Sequence, residues 1–212
     1  MIAATTLPTV VAEPLSFKLV SVTLTPGQSS ASQGGSGVVY QVTGSTRVSV
    51  GGVDRTLSPG EGMFVAAGQQ ATLTAEGGNP STFLHFLLMP AGGQDQTSAA
   101  ASAGKLYQTA AIPDLKAGTY DLNFSRITFP PGMASNPPHH RSGAALYYVV
   151  SGTGANTVDG KTEAKPPGSV IYEPFGLVHQ WGNPGAEPFT FLVFDINPDG
   201  TAAVLPDALK RP

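Results

Sequence analysis

The chain has 212 residues and a net charge of −3, and 41% of its residues are hydrophobic while only 12% are charged. A chain of this length and composition can bury a core and suits two domains of about 100 residues each, so wholesale disorder is excluded. No run of basic residues indicates a nucleic-acid surface, and no apolar stretch approaches the roughly 18 residues of a membrane helix. The absence of cysteine excludes disulfides and thiolate chemistry.

The start of the chain and its composition bear on the compartment. Residues 1–11 lack the basic start and the apolar centre of a signal peptide. The composition is rich in Ala, Thr, Ser and Gly and poor in Lys, which favours an exported protein, periplasmic or secreted, whose signal peptide has been removed. A cytoplasmic protein is the alternative.

Short strands alternate with turns along the chain. In chain order, β-branched and aromatic residues concentrate in four segments, at residues 38–42, 83–88, 145–150 and 189–194. Gly51-Gly52 and Asp159-Gly160 lie between polar-alternating flanks, as two-residue hairpin turns do. Because no long segment has the helical period, the pattern predicts an all-β sandwich or barrel.

The second half of the chain repeats the first. Landmark residues recur at an interval of 108 residues, which separates Gly44 from Gly152. The same interval joins Tyr40 to Tyr148, Val50 to Val158, Pro59-Gly60 to Pro167-Gly168, Gly68 to Gly176, and Pro80 to Pro188. Self-similarity at a fixed period indicates one structural unit written twice. We expect barrels at residues 1–95 and 105–212, with a linker at 96–104 inside a small, polar, turn-rich stretch.

The second copy carries residues at the spacing of a known family. Gly160, Pro166, Gly168, His179 and Asn183 follow the pattern G-x5-P-x-G-x2-H-x3-N, apart from an extension before the histidine. This segment resembles the second motif of the cupin superfamily. The resemblance implies a jelly-roll β-barrel for each copy, so that the chain would be a bicupin of two tandem barrels.

The first cupin motif, G-x5-H-x-H-x3,4-E-x6-G, is present only in part. Gly132 and Gly152 match its end glycines, and the pair His139-His140 lies where the resemblance implies metal ligands. Counting from Gly132 puts the two histidine positions at 138 and 140, and counting from Gly152 puts them at 139 and 141. In either count only one of the two is histidine, and the glutamate position is Ala145.

The first copy retains none of these ligands. The repeat interval aligns Ala71 with His179, and it aligns the positions of the first motif with Ala31, Gln33 and Gly37. We therefore expect the first barrel to be structural, or to act as a lid or partner for the second. Any divalent metal is expected in the C-terminal barrel only.

Strand alternation predicts which side chains line the second barrel. Successive side chains of a strand point to opposite faces, so an inward position 145 implies an inward Tyr147, and an inward His179 implies an inward Trp181. The predicted cavity wall consists of His139 or His140, Arg141, Tyr147, His179 and Trp181.

The first function that fits these residues is a cupin-domain binding protein for a small molecule. Tyr147 and Trp181 would supply apolar faces, while Arg141 and His179 would orient the ligand. A carboxylate or a carbohydrate suits such a wall, and a homodimer is a further expected association.

The alternative is a metal-dependent cupin enzyme, a lyase, isomerase or dioxygenase acting on a small acidic or enolisable substrate. Here His179 with His139 or His140, the remaining one of the pair being a third candidate ligand, would hold Fe, Mn, Ni or Zn, which polarises the substrate. Tyr147 would move a proton and Arg141 would anchor the acid group. Imidazoles that converge on one point favour the metal, whereas Arg141 in the space between them favours the binding module.

Overall fold

The computed structural model describes residues 1–10, 13–32, 34–93 and 102–207, with no side-chain description for residues 8–10. The strands of these residues are, in chain order, β1 (Ala3–Val10), β2 (Leu15–Leu24), β3 (Ser29–Ser32), β4 (Ser36–Thr43), β5 (Ser45–Val50), β6 (Val53–Leu57), β7 (Gly62–Val65), β8 (Ala71–Glu76), β9 (Ser81–Pro90), β10 (Ser102–Gln108), β11 (Gly118–Phe129), β12 (His139–Arg141), β13 (Ala144–Ser151), β14 (Gly154–Val158), β15 (Lys161–Lys165), β16 (Val170–Glu173), β17 (His179–Gly182), β18 (Phe189–Pro198) and β19 (Val204–Pro206). No helix long and apolar enough to cross a membrane occurs in these ranges.

The strands form two units, each a two-sheet jelly roll. In the first unit the sheets have the orders β10-β2-β9-β4-β7 and β3-β8-β5-β6. In the second the orders are β1-β11-β18-β13-β16 and β15-β14-β17-β12-β19. All the pairings are antiparallel, and the two orders correspond strand for strand apart from β19. The predicted all-β fold of two tandem barrels is confirmed.

The repeat interval holds at the level of single strands. β6 and β15, β7 and β16, and β9 and β18 begin and end at corresponding residues. Gly51 and Gly52 have φ angles of 58° and 79°, and Asp159 and Gly160 have φ angles of 50° and 73°. Two consecutive left-handed residues are typical of the type I′ turn, whose twist matches that of the flanking strands. The predicted hairpins are therefore present, and the four predicted strands lie within β4, β9, β13 and β18.

Two edge strands change the expected boundaries between the units. β1 pairs with β11, from Ala3 opposite Phe124 to Val10 opposite Gly118, and so belongs to the second unit. β10 pairs with β2 in the first unit. The expected ranges 1–95 and 105–212 differ from this division because edge pairing joins segments distant in sequence. Within the expected linker, residues 96–101 lie outside the described residues, and residues 102–104 belong to β10.

The two interiors differ in the size of their side chains. The first is a cluster of mostly aliphatic residues, Val20, Val22, Leu24, Val39, Val48, Val50, Leu57, Val65, Ala71, Leu73, Ala75 and Phe83. The second is largely aromatic, with Ala145, Tyr147, Val149, Trp181, Phe189, Phe191 and Val193. Full burial of one large apolar side chain contributes about 1.5–3 kcal/mol, so both clusters hold their sheets together.

Candidate functional site

A cavity of about 450 Å³ lies in the second unit. Its polar lining residues are Asn136, His139 and Arg141. The remaining lining residues are apolar or aromatic, namely Ile127, Phe129, Pro137, Pro138, Tyr147, Trp181, Phe191, Val204 and Pro206. A concave, mostly apolar site with a few convergent polar groups is the usual form of a small-molecule pocket, and its size falls within the roughly 300–1,000 Å³ of such sites.

A row of residues crosses the inner face of one sheet beside this cavity. Ala145 of β13 pairs with Glu173 of β16 on one side and with Asp195 of β18 on the other. Asp195 in turn pairs with Asn123 of β11 and accepts a 3.2 Å hydrogen bond from its Nδ2. Directly paired residues share a face of the sheet, and Ala145 belongs to the buried core. The two carboxylates therefore flank a small alanine inside the barrel.

Arg141 of β12 extends into this row and is only 7% exposed. Its Nε lies 3.8 Å from Glu173 Oε2, and its Nη1 lies 3.6 Å from Asp195 Oδ2. Nε and Nη2 donate hydrogen bonds of 2.9 and 2.6 Å to the Tyr147 hydroxyl. The guanidinium thus spans the gap above Ala145, with a carboxylate on either side.

Glu173 connects this charge cluster to Trp181 and His179. Glu173 Oε1 accepts a 3.0 Å hydrogen bond from Trp181 Nε1, and Glu173 Oε2 lies 3.2 Å from His179 Nε2. The second contact lacks hydrogen-bond geometry, and both of its atoms are buried. His179 Nδ1 is 2.9 Å from the Leu177 carbonyl, so we assign the ring proton to Nδ1 and leave Nε2 as an acceptor.

Burial sets the charge states of these groups. It raises the pKa of Glu173 and of Asp195, although hydrogen bonds and the Arg141 charge oppose it. It lowers the pKa of His139 and of His179, so both imidazoles are neutral at pH 7. Burial also acts against the charge of Arg141, but the combined effect of its anionic neighbours and Tyr147 outweighs it and raises the pKa. Tyr147 stays protonated, because burial raises its pKa well above the ordinary value.

The three predicted metal histidines do not share one face. On β12, His139 and Arg141 point to the same side, whereas the intervening His140 points to the other. His139 pairs with His179 across β12 and β17, and their ring centroids are 4.3 Å apart. His139 Nδ1 is 2.9 Å from the Pro137 carbonyl. His140 therefore stands apart from the other two.

A divalent metal does not fit this donor set. Within residues 1–10, 13–32, 34–93 and 102–207, no group of three or more His, Cys, Asp or Glu side chains is placed to hold a metal ion. Glu173, the carboxylate in contact with His179, also lies beside the Arg141 guanidinium. A second buried cation at that place would be repelled by the first in a medium of low dielectric constant. Of the predicted histidines, the structure brings His139 and His179 together, while His140 lies on the other face of β12.

The other predicted residues come together in the cavity wall. Arg141, Tyr147 and Trp181 line the cavity together with His139. Tyr147 and Trp181 are stacked, with ring centroids 5.7 Å apart and an interplanar angle of 30°. His179 is 1% exposed and is not among the lining residues, so it lies behind the wall, against Glu173.

The sequence interpretation missed Glu173 and Asp195. At the repeat interval the first copy has Val65 and Leu87, both buried. The sequence does contain a signal for these residues, because each of these two carboxylates of the second copy aligns with an aliphatic residue of the first. Without the strand register, however, nothing indicated that the two carboxylates flank Ala145.

Asn183, the last residue of the second motif, has a structural role. It is fully buried, and its Nδ2 donates hydrogen bonds to the carbonyls of Phe129, Pro130 and Glu187. Its Oδ1 accepts a 3.1 Å hydrogen bond from the Gly185 backbone N–H. Asn183 therefore holds the loop after β11 against the end of β17.

Comparisons with known proteins agree with this architecture. Residues 125–195 match the family described as "Cupin domain". A mutant of Bacillus subtilis oxalate decarboxylase has a TM-score of 0.64 at 16% identity, over 92% of this chain and 72% of that chain. A structure from work on the Mn(II) centers of the same enzyme has a TM-score of 0.62 at 17% identity, over 92% and 72% of the two chains. No curated protein sequence matches the chain.

The fold therefore defines a double jelly-roll barrel of the cupin type. The family match to the cupin domain covers residues 125–195, which lie in the half of the chain that contains the cavity. At 16–17% identity, the likeness to oxalate decarboxylase shows the fold alone.

Proposed function

We propose that the second barrel is a metal-independent binding module for a small organic molecule. The observation that carries this proposal is the position of the Arg141 guanidinium, in the cavity wall and between Glu173 and Asp195. In this position it provides fixed hydrogen-bond donors to a molecule in the cavity. It is also rigid, because Tyr147 accepts two of its hydrogen bonds.

The aromatic wall would provide most of the contact with the ligand. Phe191 and Trp181 are stacked with centroids 5.5 Å apart, and Tyr147 lies 5.8 Å from Phe191. Flat, rigid side chains bury a large apolar area and lose little side-chain entropy, since each has only two rotatable side-chain bonds. Arg141 and His139 would then fix the orientation of the ligand.

The experiment uses Trp181, the single tryptophan of the chain, which lines the cavity. Small aromatic compounds are titrated while Trp181 fluorescence is recorded, before and after dialysis against a chelator. We expect saturable quenching that the chelator does not change. Val204→Phe, which enlarges a lining residue, should weaken binding, whereas Val53→Phe, at an exposed position of the first barrel, should not.

A second candidate is the metal-dependent enzyme, and one observation favours it. His139 Nδ1 and His179 Nδ1 each lie 2.9 Å from a backbone carbonyl, an arrangement that orients metal-binding histidines in many proteins. The structure associated with Mn(II) centers supports the same candidate through the shared fold.

Elemental analysis separates the two candidates. After soaking with Mn, Fe, Ni or Zn and removal of free ions, we expect far less than one ion per chain. The variant Arg141→His with Ala145→Glu, which introduces the ligand types of the family motif, should bind metal more strongly than the wild type. One tightly bound ion per wild-type chain, or ligand binding that requires the metal, would favour the enzyme instead.

A further inference from the structure

We infer that the cavity takes a neutral aromatic compound whose polar group both accepts and donates a hydrogen bond, as a primary amide does, in preference to a carboxylate. This inference rests on the proposed function and specifies its ligand class. It replaces the carboxylate or carbohydrate that the sequence suggested.

The charge around Arg141 is already balanced. A buried guanidinium with no anion beside it would be strongly unfavourable, so at least one of Glu173 and Asp195 is ionised. His139 and His179 contribute no charge at pH 7. The cluster of Arg141, Glu173 and Asp195 therefore has a net charge of zero when one of the two carboxyl groups is ionised, and of −1 when both are. A ligand carboxylate would add a further buried negative charge without a free cation to pair with.

Arg141 nevertheless retains hydrogen-bond donors. Its guanidinium has five N–H groups, and its described hydrogen bonds are the two that the Tyr147 hydroxyl accepts. The 3.6 Å separation between Nη1 and Asp195 Oδ2 is longer than an ordinary hydrogen bond. A neutral carbonyl oxygen in the cavity can accept from these remaining N–H groups, because it needs no charge compensation.

His139 supplies the complementary acceptor. Its Nδ1 faces the Pro137 carbonyl, so in the neutral ring Nε2 carries a lone pair. His139 and Arg141 both line the cavity, and as alternate residues of β12 they lie about 6.6 Å apart along the strand. The oxygen of one primary amide group can accept a hydrogen bond from Arg141 while its N–H donates one to His139 Nε2. A carboxylate has no hydrogen to offer to His139 Nε2.

The rest of the cavity selects an apolar, flat ligand body. Trp181, Phe191, Tyr147, Phe129 and Ile127 are lining residues. A carbohydrate carries many hydroxyl groups, and these walls would leave most of them without a partner once water is displaced. An aromatic ring loses no hydrogen bonds on entering and gains apolar contact with these side chains.

The test compares benzamide, benzoate and toluene at pH 7 by Trp181 fluorescence and calorimetry. We expect benzamide to bind at least about tenfold more tightly than either of the others, the size of effect that one charge or one pair of hydrogen bonds produces. The double variant Glu173→Gln with Asp195→Asn removes the negative charge that neutralises Arg141, whichever carboxylate holds it, so the ratio of the benzoate and benzamide dissociation constants should fall by about tenfold. Glu163→Gln, at an exposed position outside the cavity, should leave this ratio of dissociation constants unchanged.

The outcomes separate the inference from the proposed function. Benzoate binding as tightly as benzamide to the wild type would overturn the ligand class while leaving the binding module intact. Toluene binding as tightly as benzamide would overturn the roles given to Arg141 and His139. No saturable binding by these compounds or by larger aromatic amides would overturn the proposed function itself. If the double variant fails to fold, the single variants Glu173→Gln and Asp195→Asn test the same charge argument, and at least one of them should lower the ratio.

Discussion

A group of contacting, buried polar side chains lies at one end of the two central strands of the first barrel, and a charged group lies at the opposite end of the corresponding strands of the second. In the first barrel the polar group lies at one end, where Gln41 Nε2 donates a 2.7 Å hydrogen bond to Ser81 Oγ, and Ser81 lies 2.6 Å from Thr46 Oγ1. At the corresponding positions, 108 residues later, the second barrel has Val149, Gly154 and Phe189.

At the other end the pattern is reversed. The second barrel has Glu173, Ala145 and Asp195 in one row, and the first barrel has Val65, Gly37 and Leu87 there, with the same pairing. The fold accepts either a polar or an apolar row at each end, provided that the polar groups of a row bond to one another or that its apolar groups pack together. Of these two rows, the one with Glu173 and Asp195 lies beside the cavity of the second barrel, because Arg141 contacts both carboxylates and lines the cavity.

The largest effect is expected from removing the positive charge that neutralises the row of Glu173, Ala145 and Asp195. Arg141→Ala leaves Glu173 and Asp195 buried without a cation, and the free energy of unfolding should fall by about 3–5 kcal/mol. Arg141→Met combined with Glu173→Val and Asp195→Leu, the last two being the residues of the first barrel, should recover most of this loss. Urea unfolding followed by Trp181 fluorescence measures both. A loss below about 1 kcal/mol in the single variant would mean that the row is not electrostatically matched.

A smaller effect is expected at the opposite end. A Cβ added at Gly154 would lie 2.3 Å from the Phe189 ring, so Gly154→Ala should destabilise the second barrel by about 1–3 kcal/mol. The first barrel has Thr46 and Ser81 at these positions, where no ring competes for the space. Phe189→Leu should be less damaging in the Gly154→Ala background than in the wild type. Additive effects of the two substitutions in urea unfolding would contradict this steric coupling.

The smallest effect concerns pH. The pKa of Glu173 is raised in the folded state above its ordinary value of 4.5, so its contribution to stability is fully present below that pH and is lost as the pH rises through the folded pKa. Relative to Glu173→Gln, the wild type should therefore lose stability from pH 4.5 upward, by at most about 1.4 kcal/mol per pH unit. Urea unfolding of both proteins between pH 4.5 and 8 tests the sign, and a wild type that gains relative stability over this range would contradict it.

Much of the fold follows from local sequence signals. The hairpins at Gly51-Gly52 and Asp159-Gly160 and the repeat interval predict two similar all-β units, because turn chemistry and alternation act over a few residues. The inward positions of Tyr147 and Trp181 followed from strand alternation once the family resemblance placed positions 145 and 179 inward, and they agree with the burial of both side chains.

The rest depends on which strands become neighbours. Glu173 and Asp195 acquire their role because β16 and β18 both pair with β13 at Ala145, and no spacing along the chain reports that register. The family spacing also predicted His140 among the candidate metal ligands, but strand alternation places His140 on the face of β12 opposite to His139 and Arg141. The degenerate motif contains His139 and Arg141 of the candidate site, whereas Glu173 and Asp195, which neutralise Arg141, are not motif positions.

The pairing of β1 with β11 makes the second barrel discontinuous in the gene as well as in the chain. A fragment that begins at residue 105 would encode every lining residue of the cavity yet leave the outer edge of β11 unpaired. Exposed edges of this kind recruit other chains and promote aggregation. Recombination or protein engineering that transfers this pocket to another protein must therefore move residues 3–10 together with the second half, as two pieces of coding sequence.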